Sequence, residues 1–171
     1  MLCRESLMKY FNELHKNIIT NILKKIVDIY KDNLVSLIIF GSYARNNPRL
    51  NSDLDILIIL KQGKKRTELN DFFYEKIEKE FEKDLLNLYE NYGINIDLSP
   101  FIISKENSSY FNPLYLDMAE QSEIILDENN YFSEILKRIK KIKKQYNIKK
   151  LNYGNRYFWD FSNRNLIGEK I

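Results

Sequence analysis

Two short apolar runs constrain this chain more than any other feature. Leu34–Phe40 and Asp55–Leu60 are almost unbroken leucine, isoleucine, valine and phenylalanine. They do not alternate apolar with polar residues, as a strand with one wet face would. Short runs of this kind read as strands covered on both faces. Such strands need helices on each side of their sheet. The flanking sequence supplies them. Residues 7–30 place Leu7, Phe11, Leu14, Ile18 and Ile22 at helical spacing, and residues 68–90 do the same with Leu69, Phe73, Ile77, Phe81, Leu85 and Leu88. Ile94–Ile103 reads as a third strand after a turn at Gly93. Farther on, the sequence predicts a helix over Leu114–Gln121 opening near Pro113, a short strand over Glu123–Leu126 and a helix over 131–146. The expected fold class is therefore α/β (α+β): a small mixed, twisted β-sheet flanked by helices.

The chain of 171 residues is long enough for a substantial core. No repeat, linker or composition break divides it. The expectation is a single domain over 1–171, with a motif core at 34–103 and a helical and aromatic extension at 104–171. Hydrophobic residues make up 44% and charged residues 30%, as in folded soluble proteins. No apolar stretch reaches membrane-spanning length, and Arg4, Glu5 and Lys9 interrupt the N-terminus, unlike a signal peptide. The one cysteine, Cys3, cannot close an internal disulfide, which points to a reducing, cytoplasmic setting. A net charge of +3 does not mark a nucleic-acid binder. The lysine-rich segment 137–150 keeps RNA open as a weaker reading beside a solvated helix face. His15 reads as a partly exposed helix residue, and the aromatic tail (Tyr153, Tyr157, Phe158, Trp159, Phe161) as cover for the core.

The chemistry is concentrated in Phe40-Gly41-Ser42-Tyr43-Ala44-Arg45 and Ser52-Asp53-Leu54-Asp55-Ile56. Side chains two apart on a strand point to the same side, so Asp53 and Asp55 crowd two carboxylates at one strand end. They repel each other unless a cation lies between them. Magnesium takes oxygen ligands, a few from carboxylates and the rest from phosphates and water. Two such ions about 3.5–4 Å apart can clamp an in-line phosphoryl displacement. Gly41 lets the backbone approach a ligand closely, and a helical turn after it would aim N–H groups at an anion. Ser42 adds a hydroxyl, and Arg45 can add charge-assisted bonds to phosphate. Asp97, alone in an apolar strand, is the candidate third metal ligand and the candidate base for an attacking hydroxyl.

This pattern resembles the nucleotidyltransferase superfamily that includes DNA polymerase β and kanamycin nucleotidyltransferase. Gly-Ser-Tyr-Ala-Arg followed by Ser-Asp-Leu-Asp-Ile is similar to the minimal nucleotidyltransferases of archaea and bacteria. The resemblance implies that Asp53, Asp55 and Asp97 bind two Mg²⁺ ions and act catalytically, and that Gly41 and Ser42 contact the β- and γ-phosphates of ATP. Asn46 stands where relatives often carry glycine. The resemblance also implies a partner. Many minimal nucleotidyltransferases pair with a HEPN-domain toxin and neutralise it by moving AMP from ATP to a toxin tyrosine, as antitoxins of type VII systems. Two other readings stay open: a nucleotidyltransferase acting on a small molecule or an RNA end, and a protein that neutralises a toxin by contact alone.

Overall fold

The structure is a computed structural model describing residues 13–63, 65–154, 156–161 and 166–171. The expected start of the first helix at residue 7, and Cys3, lie outside the described residues.

Helix α1 (Glu13–Tyr30) leads into β1 (Leu34–Ile39), a one-turn helix α2 (Gly41–Ala44) and β2 (Leu54–Leu60). Next come α3 (Arg66–Phe73) and α4 (Lys79–Tyr92), joined by a π-helical turn at Tyr74–Glu78. Strand β3 (Leu98–Ser104), the short α5 (Lys105–Ser108), α6 (Leu114–Glu120), β4 (Glu123–Asp127) and α7 (Tyr131–Gln145) follow. The four strands form one mixed sheet in the order β3-β2-β1-β4. β1 runs antiparallel to β2 and β4, and β2 runs parallel to β3. A parallel pair needs a long crossover, here α3–α4.

Helices cover both faces of the sheet. On one face Ile22 and Ile26 of α1 and Phe73, Ile77 and Leu88 of the α3–α4 helix pack on Ile56 and Ile58. On the other, Tyr115, Phe132 and Ile139 pack on Val35, Ile38, Leu57 and Ile59. This double cover is why β1 and β2 carry no polar alternation. The buried positions Phe73, Ile77 and Phe81 advance in steps of four. Each step overshoots a 3.6-residue turn by about 40°. The wider turn at Tyr74–Glu78 absorbs that drift and keeps the stripe on the sheet. The helix stops at Gly93, whose φ of +66° forms the C-cap.

A carboxylate ties β1 to α7. The buried Ser36 hydroxyl donates to Asp127 at 2.7 Å. The same carboxylate accepts the backbone N–H groups of Phe132 (2.9 Å) and Ser133 (3.0 Å), and the Ser133 hydroxyl at 2.7 Å. It therefore satisfies the start of α7 from the preceding strand. Asp127→Ala is expected to cost about 2–3 kcal/mol, because it also strands the buried serine hydroxyl. A lower urea midpoint at unchanged slope would show it.

After α7 the chain forms a hairpin, β5 (Lys149–Tyr153) and β6 (Arg156–Asp160), which the sequence does not predict. Only part of the aromatic tail covers the core. Trp159 is buried, while Tyr153 and Phe158 are exposed. Nor is the lysine-rich segment simply a solvated face. Lys143 and Lys150 each bond Glu120 at 2.8 Å and lie over the Trp159 ring at 4.5 and 5.2 Å. No helix among the described residues is long and apolar enough to cross a membrane.

Candidate active site

The site begins where β1 ends. The Phe40 N–H donates to the Asp55 carbonyl at 3.1 Å, so β1 and β2 stay joined one residue past β1. The chain then turns at Gly41, with φ +71°, into α2. A Cβ on Gly41 would lie 2.8 Å from Asp55 Cγ and closer still to its Oδ2. Glycine is thus required twice, by the backbone angle and by the carboxylate pressed against it. Asn46 takes a φ of +53°, so asparagine keeps the left-handed turn there. The loop closes through the Ser52 hydroxyl, which accepts the Arg49 N–H at 2.8 Å.

Helix α2 is anchored from below. His15 is fully buried rather than partly exposed, and its Nε2 lies 3.1 Å from the Tyr43 hydroxyl. Burial lowers the imidazole to about 4, so it is neutral at pH 7. Burial, and then the charge of Asp53, raise the Tyr43 phenol above its ordinary range. Helix α1 thereby fixes the turn that carries Gly41 and Ser42. In sequence, His15 gave no sign of this, since its partner is 28 residues away.

Asp55 is half-buried on the sheet face that carries Leu57 and Ile59, and Asp53 is exposed beside it. Burial, then the Asp53 charge, raise the Asp55 carboxyl from 3.8 to about 6. The Arg45 guanidinium and a hydrogen bond from Ser99 pull the other way. Arg45 therefore belongs to the electrostatics of the acid pair. Ser99 stands opposite Asp55 in the parallel register and was not among the sequence candidates. The available signal was a hydroxyl two positions after Asp97 in an apolar strand.

Asp97 departs from expectation in one respect. Strand β3 starts at Leu98, not Ile94, so Asp97 lies just ahead of it. Its carbonyl accepts the Leu54 N–H at 2.8 Å, which puts its backbone beside the acid pair. Its carboxylate, however, accepts from Asn95 at 3.3 Å, and its charge is felt by Glu78 at the start of α4. Among the described residues no three His, Cys, Asp or Glu side chains are close enough to hold one ion. Asp53 and Asp55 are brought together; Asp97 is not gathered with them into a three-carboxylate cluster.

The acid pair nevertheless fits a divalent cation. Its donors are hard oxygens, they destabilise each other, and Gly41 sets no side chain against Asp55. A cation held there would polarise an anionic substrate between the pair and the Gly41–Ser42 turn.

The family model for the nucleotidyltransferase domain matches residues 19–128. A Methanocaldococcus jannaschii protein that carries the name protein adenylyltransferase MJ1305 is 36% identical over 131 residues, covering 75% of this chain and 83% of that one. The crystal structure of spectinomycin adenyltransferase AAD(9) from Enterococcus faecialis, with ATP and spectinomycin, is similar in fold. It has a TM-score of 0.52 at 14% identity, over 76% of this chain and 66% of that chain. A tri-AMPylated Shewanella oneidensis HEPN toxin in complex with an MNT antitoxin matches with a TM-score of 0.40 at 12% identity, over 78% of this chain and 92% of that chain.

Proposed function

Because this chain belongs to the nucleotidyltransferase domain family, we propose that it transfers AMP from ATP to a hydroxyl of a partner protein. The acceptor in this reading is a tyrosine of a HEPN-domain toxin, and the transfer makes the chain the antitoxin of a type VII pair in the cytoplasm. The observation that carries it is the Asp53–Asp55 pair set against the Gly41–Ser42 turn. The protein acceptor is supported by the name of the relative at 36% identity and by the minimal motif set.

In this reading Asp53 and Asp55 hold two Mg²⁺ ions, and Asp97 joins them as a ligand of one. Bound there, the ions would supply neutralisation of the phosphate charge. Gly41 N–H and the Ser42 hydroxyl hold the β- and γ-phosphates, and Arg45 adds charge at the phosphate end. The acceptor oxygen attacks the α-phosphorus; a P–O bond forms to AMP, and the bond to pyrophosphate breaks. Asp97 receives the hydroxyl proton. His15 and Tyr43 hold the turn still. The proposed chemical unit is 34–103, with residues 104–171 shaping its surroundings within one domain.

The test is direct. Purified protein, ATP, magnesium and the HEPN protein encoded beside it should give an AMP adduct on a tyrosine of that protein, read by intact mass and peptide mapping. Chelation should stop it, and Asp97→Asn should slow it at least about a hundredfold. Label entering RNA ends or small molecules, with none on protein, would overturn the reading. So would full neutralisation of the toxin by a folded Asp53→Ala/Asp55→Ala variant.

A further inference from the structure

A groove of about 240 Å³ runs from Asp97 along helix α4. Its apolar wall is Tyr74, Leu86 and Tyr89, which are 47%, 54% and 55% exposed. Its acids are Glu78, Glu82 and Asp97, with Asn95 beside Asp97. Large side chains left open beside a candidate active site are the usual mark of a docking surface. The acids identify what docks. Glu78, Glu82 and Asp97 line one narrow groove, and like charges so placed repel one another. Lys79 also lines the groove, but its ammonium is paired with Glu75 at 3.3 Å. Cationic side chains laid along α4 would relieve the repulsion, and apolar ones would cover Leu86 and Tyr89.

We propose that this groove docks the acceptor: a basic, partly apolar segment of a partner protein whose hydroxyl is delivered at the Asp97 end. The inference rests on the AMP-transfer reading and adds the chemistry of the segment recognised. Continuity with Asp97 supports it, since the groove ends at the carboxylate assigned the acceptor's proton.

The probe is a fluorescein-labelled peptide with one tyrosine between leucines and Lys/Arg residues, beside a twin with glutamate at every basic position. Fluorescence polarisation should show the basic peptide binding at least about tenfold tighter, with the difference shrinking as salt rises. Glu82→Lys should reverse the preference. Leu86→Ser/Tyr89→Ser should weaken the basic peptide about tenfold. All three positions are exposed, and melting curves would verify that the variants fold. Equal binding of the two peptides, or unchanged binding by Glu82→Lys, would overturn the groove. Transfer from labelled ATP is read separately. Charge-selective binding with no label on any acceptor sinks AMP transfer and leaves the groove standing. Equal labelling of the partner by wild type and Glu82→Lys removes the groove and leaves AMP transfer standing.

Discussion

Asp55→Asn is expected to abolish nucleotidyl transfer, by at least about a thousandfold, while making the metal-free protein more stable. The two effects have one cause. Burial and the neighbouring Asp53 raise the Asp55 carboxyl from 3.8 to about 6. The folded protein therefore holds this proton more tightly than the unfolded chain does. The associated stability is fully present below about pH 4 and is lost as pH rises through about 6. At neutral pH the ionised carboxylate opposes folding. Two pH units correspond to about 2–3 kcal/mol, and partial exposure reduces the expected gain to about 1–2 kcal/mol. For a chain of this size that is a melting temperature higher by about 3–6 °C in EDTA. Magnesium should raise the melting temperature of the wild type and leave Asp55→Asn unmoved. A variant that melts below the wild type in EDTA, or that still transfers AMP, would contradict this account. Asp55 exchanges stability for function at a charged site.

Gly41→Ala should be nearly as damaging to activity and, in contrast, should destabilise. At φ +71° a Cβ costs about 1–2 kcal/mol. That Cβ would also fall on the Asp55 carboxylate, which must move to admit it. Stability should drop by about 2–3 kcal/mol, and transfer by at least about a hundredfold with a higher KM for ATP. Gly93→Ala is the control. Its φ is +66°, but a Cβ there meets nothing within 4 Å. It should show the backbone strain, about 1 kcal/mol, with transfer intact. Equal behaviour of the two alanine variants in melting and in turnover would show that the close approach of Gly41 to Asp55 has no catalytic meaning.

Much of the framework was legible because it is local. Unbroken apolar runs specify strands covered twice, and β1 and β2 begin within a residue of expectation. The long helices followed from spacing, apart from the π turn at Tyr74–Glu78, which reconciles a four-residue stripe with a 3.6-residue helix. The hairpin β5–β6 was not legible. Its strands mix lysine, asparagine and aromatics, and it is held by Lys150 on Glu120, by Lys143 over the Trp159 ring and by Tyr157 donating to Asp117 at 2.7 Å. Those partners lie far away in sequence, and no local pattern encodes them.

By itself, the sequence determined which residues carry charge and freedom at the site: Asp53 and Asp55 two apart at the start of one strand, Gly41 at the end of the other. Spacing alone dictates those facts, because strand geometry repeats every two residues. Only the tertiary structure decided the rest. It buried His15 under Tyr43, set Ser99 against Asp55 through the parallel register, and aimed Asp97 toward Asn95 and the α4 groove. Those outcomes depend on which strands become neighbours and on how charges settle at a shared edge. Both are properties of the packed molecule, decided by burial and repulsion between groups that the chain keeps far apart.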